Sequence, residues 1–139
     1  MAEPSSHFLQ EEIAESTLEM LAGAMDELVV GDPSDPATDI GPVISEAAAA
    51  GLEAHVARMR GSARVRKRVA LDQRHAHGSF VAPALTELDS ITQLDSEQFG
   101  PILHVVRYRV EDLATLLASI RGLGYALTLG VQTRIEGFW

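Results

Sequence analysis

The run Ile102-Leu103-His104-Val105-Val106-Arg107-Tyr108 constrains the fold of this chain more than any other stretch. It is rich in β-branched and aromatic residues and is punctuated ahead by Phe99-Gly100-Pro101, so it reads as the strongest strand in the sequence. Val110 to Ile120 follows, with Leu113, Leu116, Leu117 and Ile120 at helical spacing, and Gly122 and Gly124 end that helix. Leu127 to Thr133 then reads as a further strand. Strand, helix and strand in this order predict a βαβ unit with parallel strands over residues 102–133.

The upstream sequence continues the alternation. Residues 1–7 read as a frayed start. From Leu9 the apolar positions Ile13, Thr17, Met20, Leu21, Ala24, Met25 and Leu28 predict one face of an amphipathic helix, with Glu11, Glu12, Glu15 and Glu19 elsewhere. Gly31-Asp32-Pro33-Ser34-Asp35-Pro36 cannot continue a helix and reads as a loop. Ser45 is placed to cap a second helix whose stripe is Leu52, Val56 and Met59, with Gly61 at its end. Val65, Lys67, Val69 and Leu71 alternate as in a strand with one wet face. Residues 72–79 read as a polar loop, and Phe80 to Leu88 as extended chain whose pairing Pro83 limits. Residues 89–98 form an acidic connection. Helices interleaved with strands predict an α/β fold, with three main helices packed on a mostly parallel sheet.

Charge and composition narrow the function. The net charge is −9, and residues 1–60 hold twelve acids against two bases. An acidic front half repels phosphate backbones, so no nucleic-acid partner is expected. The run Arg64-Val65-Arg66-Lys67-Arg68 is expected to be the solvated face of an edge strand. No apolar run is long enough to span a membrane. The first residues lack the basic and apolar regions of a secretory signal, which makes an intracellular protein the expectation. The chain contains no cysteine, so it has no disulfide, no thiolate metal site and no cysteine nucleophile. No metal site is expected. His75 and His77 have no third ligand nearby in sequence, and Asp32, Asp35 and Asp39 lack the spacing of a calcium loop. Ser5-Ser6-His7 is not a triad, and His104 is expected to be a packed histidine.

Several blocks then point to one family. Ser96-Glu97-Gln98-Phe99-Gly100-Pro101-Ile102 resembles the Glu-x-Phe-Gly-Pro-[Val/Ile] signature of the NAD(P)-dependent aldehyde dehydrogenases. Gly31-Asp32-Pro33, Asp39-Ile40-Gly41-Pro42-Val43-Ile44 and Phe80-Val81-Ala82-Pro83-Ala84-Leu85 precede it in the order and spacing of that superfamily. Leu103-His104-Val105-Val106-Arg107-Tyr108 and Leu127-Thr128-Leu129-Gly130-Val131 are similar to the Δ1-pyrroline-5-carboxylate (L-glutamate γ-semialdehyde) dehydrogenase module of the bifunctional proline utilization A proteins. The resemblance covers residues 9–135 as a partial catalytic domain. Residues 1–8 are expected to be a disordered or altered N-terminus, and residues 136–139 a divergent tail.

The resemblance implies a chemistry. In the family a cysteine thiolate attacks the aldehyde, hydride passes to the nicotinamide, and a glutamate-activated water hydrolyses the thioester. The nucleophile, the general base and the glycine-rich pyrophosphate site belong to other segments, so no catalytic residue is assigned in this chain. Glu97 would bind the nicotinamide-ribose hydroxyls of NAD, and Phe99 would pack beside the nicotinamide. A carboxylate can accept two hydrogen bonds from a vicinal diol, and an aromatic edge limits ring motion. Ser96, Gln98 and Ala126 depart from the family pattern. The expected function is a fragment of a cytoplasmic, NAD-dependent glutamate-semialdehyde dehydrogenase of proline catabolism, inactive alone and prone to self-association through exposed edges. The alternative is a non-catalytic aldehyde-dehydrogenase-like assembly module.

Overall fold

The computed structural model describes residues 5–124 and 128–134. Among them, seven elements build two helical layers around one sheet. They are β1 (Ser5–Gln10), α1 (Glu11–Asp26), α2 (Glu46–Ser62), β2 (Arg64–Arg68), β3 (Ala84–Leu88), β4 (Ile102–Tyr108) and α3 (Leu113–Gly122). The sheet order is β1-β4-β3-β2. β4 runs parallel to β1 and to β3, and β2 is antiparallel to β3 with an irregularity between Val65 and Lys67. The expected α/β fold with a mostly parallel sheet and three helices is observed.

Alternation along the strands sends side chains to two cores. On one face Leu85 and Val105 meet Leu18 of α1, flanked by Leu9, Leu21, Ala22, Met25 and Leu103. On the other, Ala84 and Ile102 meet Leu52 and Val56 of α2, and Leu88 and Val106 meet Met59, Ile91 and Leu94. The α2 stripe is the one its sequence spacing predicts. Ser45 is its cap: the Ser45 hydroxyl accepts from Ala48 N–H at 3.1 Å.

Three expectations need correction. The frayed or disordered start is a strand from Ser5 onward, in register with β4 from Ser5–Leu103 to Gln10–Tyr108. Ser5, Ser6 and His7 are poor strand formers by composition, but main-chain pairing with a strongly strand-forming neighbour overrides propensity. Accordingly the helix starts at Glu11, not Leu9. The predicted face of α1 is also turned. Ala14 and Leu18 are buried, whereas Ile13 is 54% and Met20 71% exposed. Two apolar stripes run along α1, and periodicity alone cannot say which one meets the sheet. Finally, residues 128–133 of the expected strand are not in the sheet, and Leu127 lies outside the described residues. β4 already has β3 on one flank and β1 on the other, so no βαβ partner can pair with it directly. The tail over 136–139 also lies outside the described residues.

Candidate functional site

The segment between β3 and β4 is held at both ends. Ser90 caps a single turn, Ile91–Gln93, and the Gln93 side-chain oxygen accepts from Ser90 N–H at 3.0 Å and Asp89 N–H at 2.7 Å. The same Gln93 amide donates through Nε2 to the Ser62 carbonyl at 2.6 Å, tying the turn to the end of α2. Ile91 and Leu94 are buried beneath it. At the far end, Gly100 is buried against α2. A Cβ there would stand 2.4 Å from Leu52 Cδ1 and 2.9 Å from Cδ2, so this approach requires a residue without one. The Pro101 carbonyl then accepts from Ala84 N–H at 2.9 Å, placing the start of β4 beside β3.

Glu97 and Phe99 sit between these anchors. Glu97 is half-buried, and among the described residues no hydrogen bond or ion pair engages its carboxylate. Phe99 is 58% exposed, although a ring of that size ordinarily gains by burial. An unengaged carboxylate and an exposed ring on an anchored segment fit the two demands of a nicotinamide riboside: acceptors for its diol and an apolar edge for its ring. The sequence has no G-x-G-x-x-G turn for the pyrophosphate. Of the departures from the family pattern, Ser96 and Gln98 bond to each other, and Ala126 lies outside the described residues. Gln98 Nε2 donates to the Ser96 hydroxyl at 3.0 Å and to the Ser96 carbonyl at 3.2 Å, which braces the backbone on both sides of Glu97.

Other residues weighed from the sequence have structural places. His75 closes a turn with Asp72, lies 2.9 Å through Nε2 from the Val30 carbonyl, and meets Phe80 edge-on. Arg74 holds the Asp72 carboxyl down at about 2, chiefly through their side-chain hydrogen bonds. Asp32 accepts from Ser34 N–H and Oγ in a local turn, and Asp39 from Val29 N–H. No group of three metal-ligating side chains occurs among the described residues. The basic run lies on the edge strand β2, as expected, but it is not a solvated face: Arg66, Lys67 and Arg68 are half-buried because each lies against a carboxylate. Its charges pair inward: Arg66 with Glu15 and Glu87, Lys67 with Asp26, and Arg68 with Glu53. Arg107 joins Glu15 to Glu87, and with Arg66 they form a four-residue charge cluster under α1. Arg107 and then Arg66 hold the Glu15 carboxyl below its usual range.

One constellation escapes sequence reasoning. His55 of α2 and His104 of β4, 2% and 3% exposed, approach with their Nε2 atoms 2.9 Å apart. Arg58 Nη2 lies 3.1 Å from His55 Nδ1. The available signal was a histidine inside the apolar stripe Leu52, Val56, Met59, since a buried imidazole must find a partner.

A family model for the aldehyde dehydrogenase family matches residues 2–136, nearly the whole chain. The chain belongs to the aldehyde dehydrogenase family. The match takes in residues 2–8, which the sequence reading set apart. Among its relatives, the chain is 48% identical over 133 residues to the bifunctional protein PutA of Escherichia coli strain K12, covering 92% of this chain and 10% of that protein. It is 32% identical over 130 residues to N-succinylglutamate 5-semialdehyde dehydrogenase of Vibrio cholerae, covering 90% and 25%. Its fold is similar to a crystal structure of a Bradyrhizobium japonicum proline utilization A variant, with TM-score 0.88, 49% identity, and coverage of 95% of this chain and 13% of that one. The chain thus spans about a tenth of the length of its PutA relatives, as a part of an aldehyde dehydrogenase fold. No helix among the described residues is long and apolar enough to cross a membrane.

Proposed function

We propose that this chain is the portion of a cytoplasmic, NAD-dependent L-glutamate γ-semialdehyde dehydrogenase of proline catabolism that contacts the nicotinamide riboside. Glu97 accepts from the ribose hydroxyls and Phe99 packs at the nicotinamide. The observation that carries this reading is a Glu97 carboxylate that no described residue engages, two positions before an exposed Phe99 on a segment anchored at Gln93 and Gly100. The choice of substrate is supported by the 48% identity to PutA, against 32% to the succinylated-semialdehyde enzyme. NAD, when bound, accepts the hydride. This chain's part is to orient the nicotinamide end.

The chain alone does not turn over aldehyde, since it has no cysteine to attack the carbonyl. Two measurements test the proposal. Purified chain given NAD and glutamate semialdehyde should form no NADH above background, and substrate-dependent NADH would overturn the assignment of inactivity. Saturation-transfer NMR with NAD should mark the nicotinamide and its ribose more strongly than the adenine. Dominant adenine contacts would overturn the site.

A second reading rests on the uncovered apolar residues Ile13 and Met20 of α1 and on the outer edge of β1, which no described strand pairs. These fit self-association or assembly with further chain. Concentration-independent monomers in light scattering would contradict it.

A further inference from the structure

Arg58, His55 and His104 form a line whose hydrogens are fixed by elimination. Arginine has donors and no acceptor, so the His55 Nδ1 that faces Arg58 carries a lone pair. The His55 proton is therefore on Nε2 and is donated to His104 Nε2. His104 must then keep its own proton on Nδ1. This arrangement disfavours an extra proton. One added to His55 lands on Nδ1, facing the guanidinium. One added to His104 lands on Nε2, facing the His55 N–H. Either way a hydrogen bond becomes two opposed donors at an imidazole that is almost fully buried.

The line joins the two elements that set the candidate site. His55 lies one turn beyond Leu52, the residue against which Gly100 is packed, and His104 lies four residues beyond Gly100. Among the charged groups near the pair are Arg58 and, 3.7 Å beyond it, Asp95 at the head of the Glu97 segment. β3 and β1 place the uncharged Thr86 and Ser6 in register with His104. We propose that Arg58, His55 and His104 form a proton-sensitive positioning relay, which clamps β4 to α2 while both imidazoles are neutral and so holds the turn carrying Glu97 and Phe99. The meaning of that turn rests on the function proposed above, whereas the relay does not.

Burial, and then the charge of Arg58, push the His55 imidazole below its ordinary 6.5, with Asp95 opposing. The test is imidazole nitrogen NMR on the full chain, histidine-labelled, titrated between about pH 8 and pH 5. His55 should show the Nε2–H tautomer and His104 the Nδ1–H tautomer. His55 should protonate below 6.5, with the amide signals of Glu97 to Gly100 moving at the same midpoint. Arg58→Met, at a half-exposed side chain (52%), should raise that midpoint. Reversed tautomers, a wild-type midpoint at or above 6.5, an Arg58→Met midpoint that stays put, or site amides that ignore the His55 titration would each overturn the relay. These signals are read without NAD, so a chain that fails to bind NAD removes the function proposed for Glu97 and leaves them unchanged.

Discussion

The two faces of the sheet are held by different physics. Under α1, a small apolar cluster around Leu18, Leu85 and Val105 is bordered by Glu15, Arg66, Glu87 and Arg107. Under α2, two apolar clusters flank one buried imidazole pair. The α1 helix offers its second stripe, Ile13 and Met20, to the outside, whereas α2 turns its single stripe wholly inward. The candidate site hangs from the α2 face, through Gly100 on Leu52 and Gln93 on Ser62. The turn proposed to orient the cofactor gains from the side where packing leaves least freedom, while the charged side suits contact with solvent.

The largest break in this comparison should come from the α2 core. Met59 is 1% exposed, and Met59→Ala should cost about 2–5 kcal/mol in denaturant unfolding, the usual price of a cavity at such a site. On the α1 face Glu87→Gln should cost less, about 1.5–3 kcal/mol, by leaving Arg66 and Arg107 without their shared buried carboxylate. Equal losses for the two substitutions would erase the distinction between the faces.

Acid should separate the faces without mutation. His55 titrates below 6.5 in the folded chain, so the unfolded chain binds more protons in that window. Stability is then full above pH 6.5 and falls as pH drops through it. Glu15 also has a lowered affinity for protons, so its contribution is present above 4.5 and is lost as pH falls further. Two successive declines in the denaturant midpoint are expected, the first altered by Arg58→Met and the second by Glu87→Gln. A single decline altered equally by both would contradict the picture. The smallest effect should come from Ile13→Ser with Met20→Ser. Both side chains are exposed, so the stability change should stay within about 0.5 kcal/mol. Self-association measured by light scattering should fall.

How far the sequence reaches follows the same division. The α2 face was legible because Ser45, Leu52, Val56 and Met59 give one cap and one stripe, and β4 because it is apolar on both sides. The α1 face was not, since the helix carries two stripes and only the sheet decides between them. β1 was hidden in a polar segment whose strand state comes from its neighbour's backbone. The Glu97-Phe99 segment was found through its motif, while its anchors depend on contacts distant in sequence, Gly100 on Leu52 and Gln93 on Ser62. The His55–His104 pair needs the register of β4 against α2, which no local pattern encodes.

The most direct measurement is an NAD titration followed residue by residue in the amide spectrum of the full chain, wild type and Glu97→Ala. NAD should move the signals of residues 96–100, with weaker changes along the start of β4, and Glu97→Ala should abolish them without changing the rest of the spectrum. NAD-induced shifts that centre elsewhere, or that survive Glu97→Ala, would contradict the assignment of this turn to the nicotinamide riboside.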